Sequence, residues 1–329
     1  MLALAIILLS CGCDSTPQEY VRTSFVFDTY VSIRIYLTNG ADTPAQICDS
    51  AISMLNNLDD KLSAVKGTSE LSRINKNAYA APVVTDSGIY WLIKNCVDLC
   101  KLTDGAFDIT LGKVSRLWGF NSDEEITPDF DEIRKYADKA NYNNIEFDDE
   151  RLSIKFTSDD FELDLGAAAK GYALDMLRAL FEQYGVVSGV VDFGGSIMTV
   201  GLYGEDKWNV AVTADDSDKS VGTLKCGEAY ISTSNAYRRY KEYNGVKYHH
   251  IIDSSTAFPA ESGVKSCTVV TDSGLISDAL STAVYVMGYE KAVKLYDKYR
   301  LAEFIIVSSN GGVYVTDGLK SAFTENTNG

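Results

Sequence analysis

Positive charge is scarce in this chain of 329 residues: 30 Lys and Arg stand against 46 Asp and Glu, a formal net charge of −16. Such a surface repels polyanions and no Lys/Arg cluster offsets it, which disfavours duplex nucleic acid as a partner. Proline is also scarce, at 5 residues, and glycine numbers 25, which excludes collagenous and low-complexity sequence. The seven cysteines include no CxxC pair: Cys11 and Cys13 end an apolar leader, Cys96 and Cys100 lie four apart, and Cys48, Cys226 and Cys267 are isolated. That spacing disfavours a zinc framework, and Cys96 and Cys100, inside an apolar-periodic stretch, read as core packing. No apolar run reaches the roughly 20 residues needed to span a bilayer as a helix.

What is present is a globular composition, 46 % hydrophobic and 23 % charged, on a chain long enough to bury a large core. Leu2 to Leu9 is apolar throughout, then Ser10 and Cys11 lead into polar sequence from Asp14. The run reads as the hydrophobic region of an export signal. Its end, Leu8-Leu9-Ser10-Cys11, resembles the bacterial lipobox, which implies a protein lipid-anchored through Cys11 on the outer face of the cytoplasmic membrane or in the periplasm; no Lys or Arg precedes the run, and a plain secretory signal and a cytosolic protein with an apolar end are the other readings. Residues 1–24 are then leader and tether, and residues 25–329 one domain of two closely packed subdomains.

Phe25 to Leu37 alternates apolar and polar residues as a half-buried strand does. Thr43 and Pro44 open a helix carrying Ile47, Ala51, Leu55, Leu58 and Leu62 at helical spacing. Further helices are expected over Ser87–Leu102, from Gly166 to a cap at Gly185, over Gly274–Met287, and near Tyr289–Tyr299. Strands are expected at Phe161–Leu165, Val186–Val191, Ile197–Val200, Trp208–Thr213, Tyr230–Thr233, Tyr248–Asp253 and Cys267–Thr271. Hairpins are expected over Ile145–Phe156 and Phe304–Val315. Tight turns between several strands exclude a purely parallel sheet, so the fold class is α+β, with mixed or antiparallel sheets and helices packed outside.

Four places hold candidate chemistry. Gly166 to Gly171 opens a helix, with Lys170 one turn in; small residues there serve either close packing or the approach of a phosphate to free N–H groups. Asp278, Ser281 and Thr282 share one helical edge, which is either a solvated face or an oxygen set for a hard cation such as Mg²⁺. His249 and His250, the only histidines, point to opposite faces if they lie on a strand, so at most one serves a given site. Thr103 to Thr110 combines Gly and Asp beside the aromatic run Leu117-Trp118-Gly119-Phe120, a loop suited to a polar ligand.

The order of these blocks resembles the ApbE family of FAD:protein FMN transferases. It is carried by Phe27-Asp28-Thr29, Ser69-Glu70-Leu71-Ser72-Arg73-Ile74-Asn75, Gly105-Ala106-Phe107-Asp108-Ile109-Thr110, Leu117-Trp118-Gly119-Phe120, Asp164 to Ala173, Asp192-Phe193-Gly194-Gly195, Ser232-Thr233-Ser234, His250-Ile251-Ile252-Asp253 and Asp278 to Ala283. The resemblance covers roughly residues 25 to 290. It implies a T-fold-like architecture and Mg²⁺-dependent transfer of FMN from FAD to a threonine hydroxyl of a partner flavoprotein, releasing AMP. It also implies a set of roles. The Ala167 carbonyl, Asp278, Ser281 and Thr282 would hold the metal. Ala106, Phe107, Asp108, Asp164, Lys170 and Ile252 would line FAD with Phe27 and Val65 beside them, and His250 would be the base. The acceptor would carry a motif like Ser/Thr-Gly-Ala-Thr, which this chain lacks.

The chain departs from the family pattern at three points. Ser254 stands where proline usually follows His-x-Ile-Asp, Lys113 replaces a proline, and Val65 replaces a commonly aromatic residue. An FAD-storing lipoprotein and an FAD pyrophosphatase giving FMN and AMP are the alternative readings.

Overall fold

The computed structural model describes residues 19–120, 127–214, 220–237 and 239–326, so the apolar leader and its two cysteines lie outside the described residues. The first elements are a hairpin where the pattern suggested one strand. β1 (Tyr20–Val26) and β2 (Thr29–Thr38) pair antiparallel. The turn residues Phe27 and Asp28 have φ of 52° and 54°, the left-handed pair that a two-residue hairpin turn requires. β1 begins at Tyr20, inside the stretch read as tether; it is a largely exposed edge strand and lacks the burial alternation that marks β2.

α1 (Pro44–Leu62) starts as expected, with Thr43 and Gln46 forming a capping box ahead of Pro44. It is followed by α2 (Glu70–Asn77), β3 (Val83–Val84), α3 (Ser87–Leu102), α4 (Gly112–Trp118), α5 (Phe130–Ala137), β4 (Ile145–Asp148) and β5 (Ser153–Phe156). α3 has the expected bounds and buries both Cys96 and Cys100. Phe161–Leu165 is not a ladder strand: among the described residues, the one bridge it forms is the isolated pair Glu162 and Leu111.

The second half comprises α6 (Ala169–Gln183), β6 (Val186–Phe193), β7 (Ser196–Val200), β8 (Trp208–Thr213), β9 (Ser220–Cys226), β10 (Ala229–Asn235), β11 (Tyr240–Tyr243), β12 (Val246–His249), β13 (Val264–Thr271), α7 (Gly274–Tyr299), β14 (Glu303–Ser308), β15 (Val313–Val315) and β16 (Phe323–Glu325). The strand expected over Tyr248–Asp253 ends at His249, where the two-stranded ribbon β11–β12 closes. The two C-terminal helices form α7, interrupted at Gly288, whose φ of 78° and ψ of 172° are not helical.

Eight strands form the central sheet in the order β1-β2-β6-β7-β10-β13-β14-β15, and every pair in it is antiparallel. Alternation along β10 divides its side chains between the two faces. Tyr230 joins Leu174, Leu177 and Phe181 of α6 on the helical face, while Ile231 meets Trp208, Val210 and Leu224 of the small sheet β16-β9-β8 on the other. Helices α6 and α7 therefore lie side by side on one face, with their N-termini at the same corner.

Candidate active site

Two glycines set the distance between α6 and α7. A Cβ on Gly171 would run into the Gly274 carbonyl and the Asp278 side chain, and one on Gly274 would strike the Gly171 carbonyl. The helix backbones touch because neither residue has a side chain. Asp175 on α6 fixes the register: its carboxylate accepts from the N–H groups of Gly274 (2.7 Å) and Leu275 (2.9 Å), capping α7. Burial pushes this carboxyl up, and the two N–H bonds pull the other way.

This contact carries Asp278 into the first turn of α6. Its carboxylate accepts from the Gly171 N–H at 3.0 Å and the Ser196 hydroxyl at 3.1 Å, and Lys170 Nζ lies 3.3 Å and 3.4 Å from its two oxygens. Asp278 is 4 % exposed and Ser281 1 %, so this edge of α7 is not a solvated face. Ser232 and Ser234, two apart on β10, meet Ser277 and Ser281, one turn apart on α7, at 2.8 Å and 2.7 Å; Thr282 lies 3.4 Å from Ser234. The Ala167 carbonyl precedes the cap residue Ala168, and the Gly171 N–H that would otherwise turn back towards it goes to Asp278.

One buried carboxylate, a row of hydroxyls and a carbonyl outside the helical ladder form an all-oxygen donor set, which fits a hard cation such as Mg²⁺. Among the described residues no group of three or more His, Cys, Asp and Glu could hold a metal, so the single carboxylate would have to be the anionic ligand.

The second part of the site is assembled from loops. The stretch after α3 turns through Asp104 and Gly105, with φ of 52° and 77°. It then runs beside residues 161–166, with Asp164 N–H on the Ile109 carbonyl (2.8 Å) and Gly112 N–H on that of Glu162 (2.9 Å). Asp164 accepts from the Gly166 N–H at 2.8 Å just ahead of α6. Asp108 accepts from the Thr110 hydroxyl (2.6 Å) and N–H (2.8 Å); burial raises its pKa, and these bonds oppose the rise. Ser254 donates to the Gly105 carbonyl at 2.8 Å, so the residue standing in place of the family's proline ties the segment after His250 to this loop.

His250 Nδ1 lies 3.0 Å from the Arg239 carbonyl. A carbonyl can only accept, so Nδ1 carries the proton and the lone pair of the neutral ring sits on Nε2. Burial lowers the pKa of this imidazole to about 4, and the Arg239, His249 and Lys170 charges push the same way while the Arg239 carbonyl opposes. The ring is therefore neutral at neutral pH, and Lys170 is near enough for its charge to be felt.

Phe27 and Ala106 are half-buried against the core cluster that holds Phe107, Leu165 and Ala169. Phe107, 2 % exposed, and Ile252, 9 % exposed, bury their side chains in apolar clusters, so each can face a ligand only through its main chain. Val65 is 66 % exposed on the turn after α1, its N–H on Ser63 Oγ. No hydrogen bond among the described residues joins it to the rest of the site.

Several contributors escaped the sequence reading. Ser196 and Ser234 bind the Asp278 edge directly, and each falls in or directly after a quoted block, where the two-residue strand period was the available signal. Asn75 holds residues 161–165 in place, its amide donating to the Leu163 carbonyl (2.9 Å) and accepting from the Leu163 N–H (2.8 Å).

Residues 27–306 match the model of the ApbE family, and the chain belongs to that family. It is 29 % identical to a protein of Treponema pallidum named FAD:protein FMN transferase, over 94 % of this chain and 90 % of that one. A protein of the same name from Klebsiella pneumoniae is 30 % identical, over 94 % and 91 % of the two chains. The fold matches the crystal structure of the ApbE protein of Thermotoga maritima with a TM-score of 0.87 and 30 % identity, covering 94 % of this chain and all (100 %) of that one.

Proposed function

We propose that this chain is an FAD:protein FMN transferase dependent on Mg²⁺. The observation that carries the reading is Asp278: 107 residues from Gly171 in sequence, it is bonded to the first turn of α6 and flanked by the Ser281 and Thr282 hydroxyls. Family membership supports the same reading.

In the reaction, a threonine hydroxyl of the acceptor flavoprotein attacks the phosphorus on the riboflavin side of the FAD pyrophosphate. The new P–O bond forms as the bond to the bridging oxygen breaks, FMN becomes linked to the acceptor, and AMP leaves with that oxygen. His250 Nε2 takes the hydroxyl proton, which the departing phosphate or water receives afterwards. Asp278, Ser281, Thr282 and the Ala167 carbonyl would hold the metal, which when bound supplies Lewis-acid stabilisation of the developing phosphate charge. Lys170 and the N–H groups opening α6 bring positive potential to a pyrophosphate of about two negative charges. Ala106, Asp108, Asp164 and the Phe107 and Ile252 main chains line the FAD site, beside Phe27 and Val65. The Leu8-Leu9-Ser10-Cys11 leader supports an exported, lipid-anchored enzyme acting on extracytoplasmic flavoproteins.

The test is incubation with FAD, Mg²⁺ and an acceptor domain bearing a Ser/Thr-Gly-Ala-Thr motif, followed by mass spectrometry. An FMN adduct on the acceptor threonine is expected. FMN and AMP released without acceptor would make the chain a pyrophosphatase, and tight FAD binding without turnover would make it a storage protein.

A further inference from the structure

His249 takes no part in the chemistry just described, yet both of its ring nitrogens are committed. Nε2 lies 3.2 Å from the Ala260 carbonyl, and Nδ1 lies 3.3 Å from the N–H of Ile251. The carbonyl can only accept and the amide can only donate, so one form alone satisfies both: the neutral ring with its proton on Nε2.

Ile251 and Ala260 face each other at the mouth of the hairpin that follows His250. Ala260 N–H donates to the Ile251 carbonyl at 3.0 Å, Ile252 bridges Pro259, and Asp253 N–H donates to the Phe258 carbonyl at 2.9 Å. In a closed antiparallel pair, Ile251 would return a second bond to Ala260. Here that bond is relayed through the N–C–N edge of the His249 ring. The same ring stands edge-on to Tyr285 of α7, with centroids 5.6 Å apart at 86°.

We infer that His249 is a positioning residue: as the Nε2–H tautomer its ring supplies the missing rung of hairpin 251–260 and docks that hairpin on α7, fixing the aim of His250 and the Ile252 main chain. The inference rests on the transferase reading, in which His250 is the base. The groups facing the ring are the Ile251 and Ala260 main chain, Tyr285 from α7, the Glu261 carboxylate beyond the hairpin and His250, the next residue in the chain. Burial holds the ring below its ordinary 6.5, with the Ala260 carbonyl and Glu261 opposing. Protonation would turn an Nδ1–H against the Ile251 N–H. The rung is therefore intact above the ordinary value and is lost as pH falls through the lowered one.

Two variants of the full chain test this. H249A removes the relay; H249Q supplies an amide oxygen for Ile251 and an N–H for Ala260 and cannot titrate. Each is compared with wild type by hydrogen exchange of the 251–260 segment against pH and by FMN transfer. H249A is expected to speed exchange in that segment and to lower kcat about tenfold, with a smaller change in KM for FAD. H249Q is expected to restore both and to abolish the loss of protection, taken relative to the intrinsic exchange rate at each pH, that wild type shows on acidification below its ordinary histidine range. Wild-type exchange and kcat in H249A, or failure of a folded H249Q to restore them, overturns the inference. If H249A does not fold, H249Q alone decides through its pH profile. If wild type transfers no FMN, the transferase reading fails, while the exchange experiment still decides whether His249 closes the hairpin.

Discussion

His250 is aimed by main-chain atoms. Its Nδ1–H rests on the Arg239 carbonyl, the Arg239 Nε donates to the Phe120 carbonyl at 3.1 Å, and Phe120 stacks on the buried Trp118 with centroids 5.7 Å apart. An imidazole must be neutral to accept a proton, because imidazolium has no free lone pair. With its pKa lowered to about 4, this ring stays neutral well below the range of an ordinary histidine. The acid limb of kcat/KM is therefore expected near pH 4 to 5, with activity lost as pH falls through it; an inflection at 6.5 or above in the pH profile would assign the limb to another group. His250→Ala is expected to lower transfer at least about 100-fold while FAD still binds, read by the mass of the acceptor and by flavin fluorescence. Asp278→Asn keeps an oxygen for the Gly171 N–H but loses the charge. Transfer is expected to fall at least about 100-fold and to stop responding to Mg²⁺ titration; a wild-type Mg²⁺ response in this variant would remove Asp278 from the metal site.

Helices α6 and α7 can place Lys170 against Asp278 only while their backbones touch. Gly171→Ala inserts a methyl where the Gly274 carbonyl and Asp278 already stand, and backbone cannot move aside as a side chain can. The expected cost is about 2–3 kcal/mol, read as a lower Tm, together with a higher Mg²⁺ requirement because spreading the helices moves Asp278, Ser281 and Thr282 of α7 away from the Ala167 carbonyl ahead of α6. Gly67→Ala, where a Cβ meets nothing within 4 Å, is the control and should change neither. That corner was only half legible in the sequence. The spacing of α1, α3 and α7 reads correctly because a helix records its buried face locally, and Thr43 with Pro44 announces the start of α1, whereas the caps Asp86 of α3 and Ser273 of α7 are not read. The need for glycine at 171 depends on residue 274, on another helix, and no local pattern carries it. Phe161–Leu165 misled for a related reason: its residues alternate in burial, but the side-chain amide of Asn75 and the bonds to residues 109 and 112 hold it where a strand ladder would. Of the ribbon β11–β12 only Tyr248 and His249 fall in an expected strand; β11 and the turn at Asn244-Gly245 go unread because the half-exposed strands bury too little to show a period.

At the scale of the whole molecule, the site works against the charge of the chain that built it. The substrate carries about two negative charges on its pyrophosphate, and the chain carries −16. Which field governs capture depends on how far each reaches. A chain of this length has a radius of gyration of about 20 Å. At about 10 mM salt the screening length is about 30 Å, so an approaching dinucleotide meets the repulsion of the entire surface. At about 150 mM that length shrinks to about 8 Å, and only the charges at the corner of α6 and α7 are felt: the carboxylates of Asp278 and Asp164 stand there too, and attraction comes from Lys170, the helix N-terminus and the divalent ion that Asp278 would hold. The association rate of FAD, followed by stopped-flow flavin fluorescence at constant free Mg²⁺, is accordingly expected to rise about two- to fivefold between these salt concentrations. That sign is opposite to the usual loss of steering on adding salt. A rate that falls instead would mean that the positive potential of the corner extends beyond a screening length and dominates the approach, and the local origin of phosphate binding assigned to Lys170 and α6 would have to be abandoned.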